Sequence, residues 1–234
     1  MKFIIDGKIA EKFPGLSIGA VIAKGLDNSG NADGLAAEMR ATEAAIRAKY
    51  TQETMPLDPK IDCWKKAYAA FGGEPKKNRS SVENLYRLVL NGIELRSVNR
   101  LVDCYNLVCL RRMLPLGGED LDRMQGDISL TFAGPNEPPV MLLGDKEPHP
   151  PRNGEVIYKD AVSAICRRWN WREAERTKLT GGTKNCILVV EGLPPVSRAE
   201  VDAATRELGG LVKKYCGGGA TVAIMDAEKR EIGF

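Results

Sequence analysis

An α+β fold follows from the order in which patterns occur along this 234-residue chain. Helical and extended patterns come in blocks instead of alternating, which argues against a doubly wound parallel sheet. The texture also changes at Pro115, from helix-rich to strand-and-turn. The expectation is mixed or antiparallel sheets packed with helices.

Residues 1–6 (MKFIID) read as a strand, and IGAVIAKGLDN supplies a second. From Gly34 to Tyr50 the chain is dense in alanine and charged helix formers, so a helix is predicted there. A shorter helix covers Ile61 to Phe71 and stops at Gly72-Gly73. The run Ser80-Ser81-Val82-Glu83 is a capping box, opening a helix to about Leu90 before Asn91-Gly92. A longer helix runs from about Ser97 to Met113 and is ended by Pro115. Strands are then expected over 127–133, 140–143, 155–159 and 186–191, separated by Gly/Pro turns. A last helix spans 198–215, followed by a glycine turn and a closing strand, ATVAIMD. There is no internal repeat and no low-complexity run.

Composition narrows the function classes. Hydrophobic content of 43% and charged content of 28% are those of a folded globular chain. No apolar run reaches bilayer length. The N-terminus carries Asp6, Lys8 and Glu11 where a signal peptide needs an unbroken apolar stretch, so a cytoplasmic location is expected. The six cysteines form no CxxC pair, and Cys104, Cys109, Cys166 and Cys186 sit among apolar neighbours, as reduced buried thiols do. With His149 as the only histidine, neither a tetrahedral zinc site nor a Ser-His-Asp triad is supported, and no metal or cofactor is expected. Between Lys60 and Arg112 there are eleven Lys/Arg and five Asp/Glu, a local +6 within a chain of net charge +3. Such a segment attracts a phosphate backbone, and it is also what an ordinary helical surface looks like.

Three constellations stand out. In the 97–113 helix, apolar residues cover most of the circumference, while Asn99, Asp103 and Asn106 share one face. A polar stripe on a buried helix faces either a structural hydrogen-bond network or a ligand pocket, because an unpaired buried polar group costs about 1–3 kcal/mol. After it come Gly117 and Gly118, which let backbone approach a ligand, and Glu119 and Asp120, which suit an ammonium group. The alternative for this stretch is a helix stop followed by an N-cap at Asp120. The third is the run Arg167-Arg168-Trp169-Asn170-Trp171-Arg172-Glu173. On a strand the two tryptophans would share a face, with Arg168, Asn170 and Arg172 opposite. Trp and Arg interleaved suit stacking on bases and gripping phosphates. They suit equally a pair of core tryptophans with arginines paired to Glu173 and Glu175.

The order of these pieces resembles a known family. Ser97-Val98-Asn99 through Asp103 to Asn106, then Leu114-Pro115-Leu116 and Asp120, is similar to the opening of the phenylalanyl-tRNA synthetase β-chain editing domain, its tRNA-binding or B-three/B-four region. Gly154-Glu155-Val-Ile-Tyr158, CRRWNWRE and Thr183-Lys-Asn185 through Glu191-Gly192 resemble stand-alone relatives of it. The resemblance covers about 80 to 215. It implies two parts, an N-terminal α/β segment over 1–79 packed on the core and an editing-domain-like unit over 80–234, or a single domain overall.

The resemblance also implies a function. The family's editing domain hydrolyses mischarged Tyr-tRNA(Phe) in a pocket between sheet and helix. Asn106 matches its pocket asparagine, and Glu191 the glutamate that receives the tyrosine hydroxyl. The family's pocket histidine falls on Gly117, a departure. The chain is too short to hold a synthetase catalytic domain beside this module. It is therefore expected to act in trans on charged tRNA or a free amino acid, as an aminoacyl-tRNA deacylase. The alternative is a non-catalytic module binding RNA, tRNA or an amino acid. Asn99, Asn106 and Glu191 are the candidate catalytic residues. Asp103, Gly117, Gly118, Glu119, Asp120 and Glu155 are candidates for substrate binding, and Arg167, Arg168, Trp169, Asn170, Trp171 and Arg172 for RNA. No membrane partner is expected.

Overall fold

The strand SIGAVIAK, Ser17–Lys24, is apolar at successive positions and buried along nearly its whole length, the pattern of a strand covered on both faces. The computed structural model, which describes residues 1–74 and 77–234, shows what covers it. Val21 and Ala23 join a core built largely from helices, whereas Ile18, Ala20 and Ile22 join a second core beneath another sheet. The layers run from helices through a four-stranded sheet to a six-stranded one.

In chain order the elements are β1 (Lys2–Ile5), α1 (Gly7–Lys12), β2 (Ser17–Lys24), α2 (Asp33–Lys49), α3 (Pro59–Ala70), α4 (Ser81–Leu90), α5 (Arg100–Arg112), β3 (Leu116–Asp120), β4 (Ile128–Phe132), β5 (Val156–Lys159), β6 (Ala164–Arg167), β7 (Arg172–Glu173), β8 (Cys186–Gly192), α6 (Arg198–Cys216), β9 (Gly219–Met225) and β10 (Glu231–Gly233). The smaller sheet has the order β3-β8-β2-β9 and is antiparallel throughout. The larger has the order β10-β1-β4-β5-β6-β7 and is mixed, with β1 and β4 parallel. The expected α+β class with mixed and antiparallel sheets is therefore the observed one. The segment 1–79 supplies β1 to the interior of one sheet and β2 to the interior of the other.

Four local differences from the sequence reading have physical causes. The helix expected from Ser97 starts at Arg100, because the Asn99 side chain accepts the Val102 N–H and so caps it. The stretch 140–143 makes only isolated bridges, Val140 to His149 and Leu142 to Ala174. Gly117 and Gly118 lie inside a strand instead of a helix stop. A Cβ on Gly118 would come within 2.3 Å of the Leu188 side chain, so glycine is what permits this pairing. Finally, α1, β3, β6, β7 and β10 have no counterpart among the expected elements, each being six residues or shorter and too brief to show a period. All six cysteines are free thiols, five of them buried.

Helix α6 begins with a complete capping box, Ser197 with Glu200, and lies across β2 and β9. Its approach depends on Gly19, where a Cβ would come within 1.8 Å of the Thr205 hydroxyl. Gly19→Ala is expected to destabilise the chain by about 1–3 kcal/mol through overpacking, read as a lower urea midpoint at unchanged slope.

Candidate functional site

Between the two sheets lies a cavity of about 290 Å³. Strand alternation builds its first wall. Gly117 of β3 pairs with Val189 of β8, and Glu119 with Ile187, so these four side-chain positions and Glu191 face the same way. Tyr158 of β5 and Ile165 of β6 contribute to the opposite wall. Asn84 of α4, Tyr105 and Asn106 of α5, and the turn joining β6 to β7 close the sides.

That turn gives CRRWNWRE a different arrangement from a continuous strand with both tryptophans on one face. Arg167 pairs with Arg172, and residues 168–171 reverse the chain, with Arg168 and Trp169 at left-handed φ of 48° and 67°. Left-handed backbone at a non-glycine residue costs about 1–2 kcal/mol, and here several bonds offset it. The Arg168 N–H donates to Glu155 Oε1 at 3.1 Å and the Trp169 N–H to the Val156 carbonyl at 2.7 Å. Because the period of two is broken, the tryptophans separate. Trp169 is fully buried, edge-on to Trp64 and Phe13. Trp171 stays half-buried at the cavity edge, with the Arg168 and Arg172 guanidiniums 4.2 and 4.9 Å from its ring centre.

Glu191 sits at the inner end, 1% exposed. Its Oε1 accepts the Trp169 indole N–H at 2.7 Å and the Tyr158 hydroxyl, and its Oε2 accepts the Asn170 amide at 2.7 Å. Burial pushes its pKa up to about 7, while the three donors hold it down. Two further carboxyls line the cavity, Glu119 and Glu173. Glu173 Oε1 accepts the Gly118 N–H at 3.2 Å. Burial pushes Glu173 up to about 7. Glu119 rises well above the ordinary carboxyl range, first through burial and then through the charge of Glu173.

The structure divides the sequence-selected residues. Asn106, Gly117, Gly118, Glu119, Glu191, Trp169, Asn170, Trp171 and Arg172 all line the cavity. Asn99 does not: besides capping α5 it accepts the Asn28 amide at 3.0 Å and donates to the Leu179 carbonyl at 3.3 Å. Asp103 accepts the Val98 N–H at 3.0 Å and the Ser97 hydroxyl. Asp120 accepts the Thr183 hydroxyl at 2.6 Å on the opposite side of β3 from Glu119. Glu155 is held in a two-pronged pair with Arg167, at 2.9 and 2.8 Å, both buried. These five are bound into structural networks and do not line the cavity. Trp169 and Asn170 are buried, whereas Arg168, Trp171 and Arg172 stand at the rim. Sequence reasoning missed Glu173, Asn84, Tyr105 and Tyr158 as cavity residues. The signal for Glu173 was its place two residues after Trp171, read there as a partner for arginine.

Among the described residues no group of His, Cys, Asp or Glu is placed to hold a metal ion, and no helix is long and apolar enough to cross a membrane. Residues 63–217 match the B3/4 domain, which is two thirds of the chain. The chain belongs to the B3/4 domain family. This is the family its sequence motifs resemble. A solved N-terminal fragment of the phenylalanyl-tRNA synthetase beta-subunit from Pyrococcus horikoshii is similar at 14% identity and a TM-score of 0.46, over 94% of this chain and 49% of that one. The chain thus spans about half the length of that fragment. No curated protein matches it.

Within this B3/4 chain the glycine at 117 has a steric reason. A Cβ there would come within 2.8 Å of Glu173 Oε1, so the carboxyl occupies the space a side chain at 117 would need. Glu173 and Glu191 hold protons in the folded chain up to about pH 7, which the unfolded chain releases near 4.5. The folded state therefore binds more protons in that window, and stability falls as pH rises through it and levels off above. Glu173→Gln is expected to flatten part of this slope and raise stability at pH 8 by roughly 1–3 kcal/mol, measured by urea titration at pH 5 and pH 8.

Proposed function

We propose that the chain acts on aminoacyl-tRNA, taking the aminoacyl group into the inter-sheet cavity and hydrolysing its ester to the tRNA. The observation that carries this reading is the cavity itself, on which Asn106, the Gly117-Gly118 edge and Glu119 converge from different elements. Its volume of about 290 Å³ is at the lower end of the roughly 300–1,000 Å³ typical of ligand pockets, which suits one amino acid and not a nucleotide. Membership of the B3/4 family and the resemblance of its motifs to a tRNA-editing domain support the same substrate class. Charged tRNA is a cytoplasmic substrate, and this reading places the chain there.

In this reading Asn106 positions the ester and the attacking water, and the backbone of Gly117 and Gly118 approaches the aminoacyl group. Holding water against an ester carbonyl supplies much of the rate, since alignment alone contributes several kcal/mol. Trp171, flanked by Arg168 and Arg172 at the rim, stacks on the terminal nucleotide. Glu191 shapes the inner end. Its acceptors are already engaged by the chain's own Tyr158, Trp169 and Asn170, so a substrate tyrosine hydroxyl meets occupied ground.

A second reading, binding without hydrolysis, is favoured by one observation. Among the described residues, the thiol lining the cavity is Cys166, whose pKa is pushed up by burial, and the lining serine, Ser81, has no hydrogen-bond partner to act as its base. A deacylation time course against a panel of charged tRNAs separates the two. Hydrolysis of particular members, slowed roughly tenfold or more by Asn106→Ala at unchanged tRNA affinity, is expected. Binding of charged tRNA with no hydrolysis of any member would establish the second reading.

A further inference from the structure

The charged groups facing the cavity are unbalanced. Three carboxyls line it, from Glu119, Glu173 and Glu191, against the single guanidinium of Arg172. That guanidinium is already bonded to the Leu143 carbonyl at 2.6 Å and to Asp145. Glu191 has its three donors. Glu173 has the Gly118 N–H. Glu119 is only 7% exposed, and its Oε2 is buried with no hydrogen-bond partner. The neighbouring Thr177 hydroxyl draws the Glu119 pKa down, yet its own Oγ1 closes no hydrogen bond.

Two neighbouring carboxyls in an apolar enclosure destabilise a fold unless something compensates them. An amide at 173 would keep an oxygen for the Gly118 N–H without the buried charge. The chain instead leaves position 117 without a side chain, in the space where Glu173 Oε1 lies. The aromatic ring of Tyr105 lines the same cavity, and ring faces favour a cation over an anion. Among the described residues no third ligand joins the pair to make a metal site.

We propose that Glu119 and Glu173 form a subsite for a protonated amine of the bound ligand. The ammonium donates to the unpartnered Glu119 Oε2 and to Glu173, and a proton that the two carboxyls hold in the empty cavity leaves to solvent as it enters, so the net charge of the site is the same in both states. This rests on the reading of the cavity as an aminoacyl site and specifies what that ligand must carry. The amine belongs either to the α-position of the aminoacyl group or to its side chain.

Three uncharged-ester surrogates distinguish these sources: norleucine amide, N-acetylnorleucine amide and N-acetyllysine amide, titrated calorimetrically against the intact chain. Norleucine amide binding at least tenfold more tightly than its N-acetyl form supports the α-amine. N-acetyllysine amide binding at least tenfold more tightly than N-acetylnorleucine amide supports the side-chain amine. In either case Glu119→Gln is expected to weaken the preferred ligand by roughly tenfold or more, the scale of a lost charge-assisted hydrogen bond. Glu173→Gln serves as an independent second variant, and thermal melts confirm that each is folded. Equal binding of all three ligands overturns the amine subsite while leaving the cavity reading standing. Binding of none overturns both.

Discussion

The buried carboxylate of Glu191 is the constraint on which the rest depends. A carboxyl this deep is tolerated only where donors surround it, and the three that do come from β5 and from the turn between β6 and β7. Glu191 itself belongs to the smaller sheet, so these bonds join the two sheets face to face. Asn170 extends the joint further. Its Oδ1 accepts the Tyr68 hydroxyl of α3 at 3.0 Å, and its carbonyl accepts the Ser81 N–H at the start of α4 at 3.0 Å. One residue of the turn thereby ties two helices to both sheets.

The cavity is a consequence of that joint. With the sheets held together at Glu191, the left-handed turn buries Trp169 and leaves Trp171 at the rim, so the inner end is closed and the outer end lined for contact. At 117 the wall formed by β3 adds no bulk, because glycine stands there. Into that room project Glu119 and Glu173, less well supplied with donors than Glu191. The division of labour follows: Glu191 serves the fold, and the other two carboxyls face whatever enters.

Long, strongly patterned elements were legible without the structure. The Ser80 cap, the alanine-rich helix before Tyr50 and the doubly apolar β2 each carry their own local reason. The strand at 116–120 did not, since paired glycines disfavour a strand and the space constraints from Leu188 and Glu173 are wholly tertiary. The polar stripe on α5 divides between the two alternatives, a structural network and a pocket. Asn106 reaches the cavity, but Asn99 and Asp103 lie at the helix start, where orphan N–H groups and the side chains of Asn28 and Ser97 claim them. CRRWNWRE marked by residue type a segment that lines the cavity. Its faces could not be read, because two consecutive left-handed residues without a glycine leave no signal in the sequence.

Hydrogen exchange at the Trp169 indole N–H is the most direct test of the Glu191 joint. The account predicts that this proton exchanges only through global unfolding, as a donor to a fully buried carboxylate should, and that Glu191→Gln accelerates its exchange beyond the loss in global stability. Exchange through a low-energy local opening in the unaltered chain, insensitive to that substitution, would show that the two sheets are not held together there.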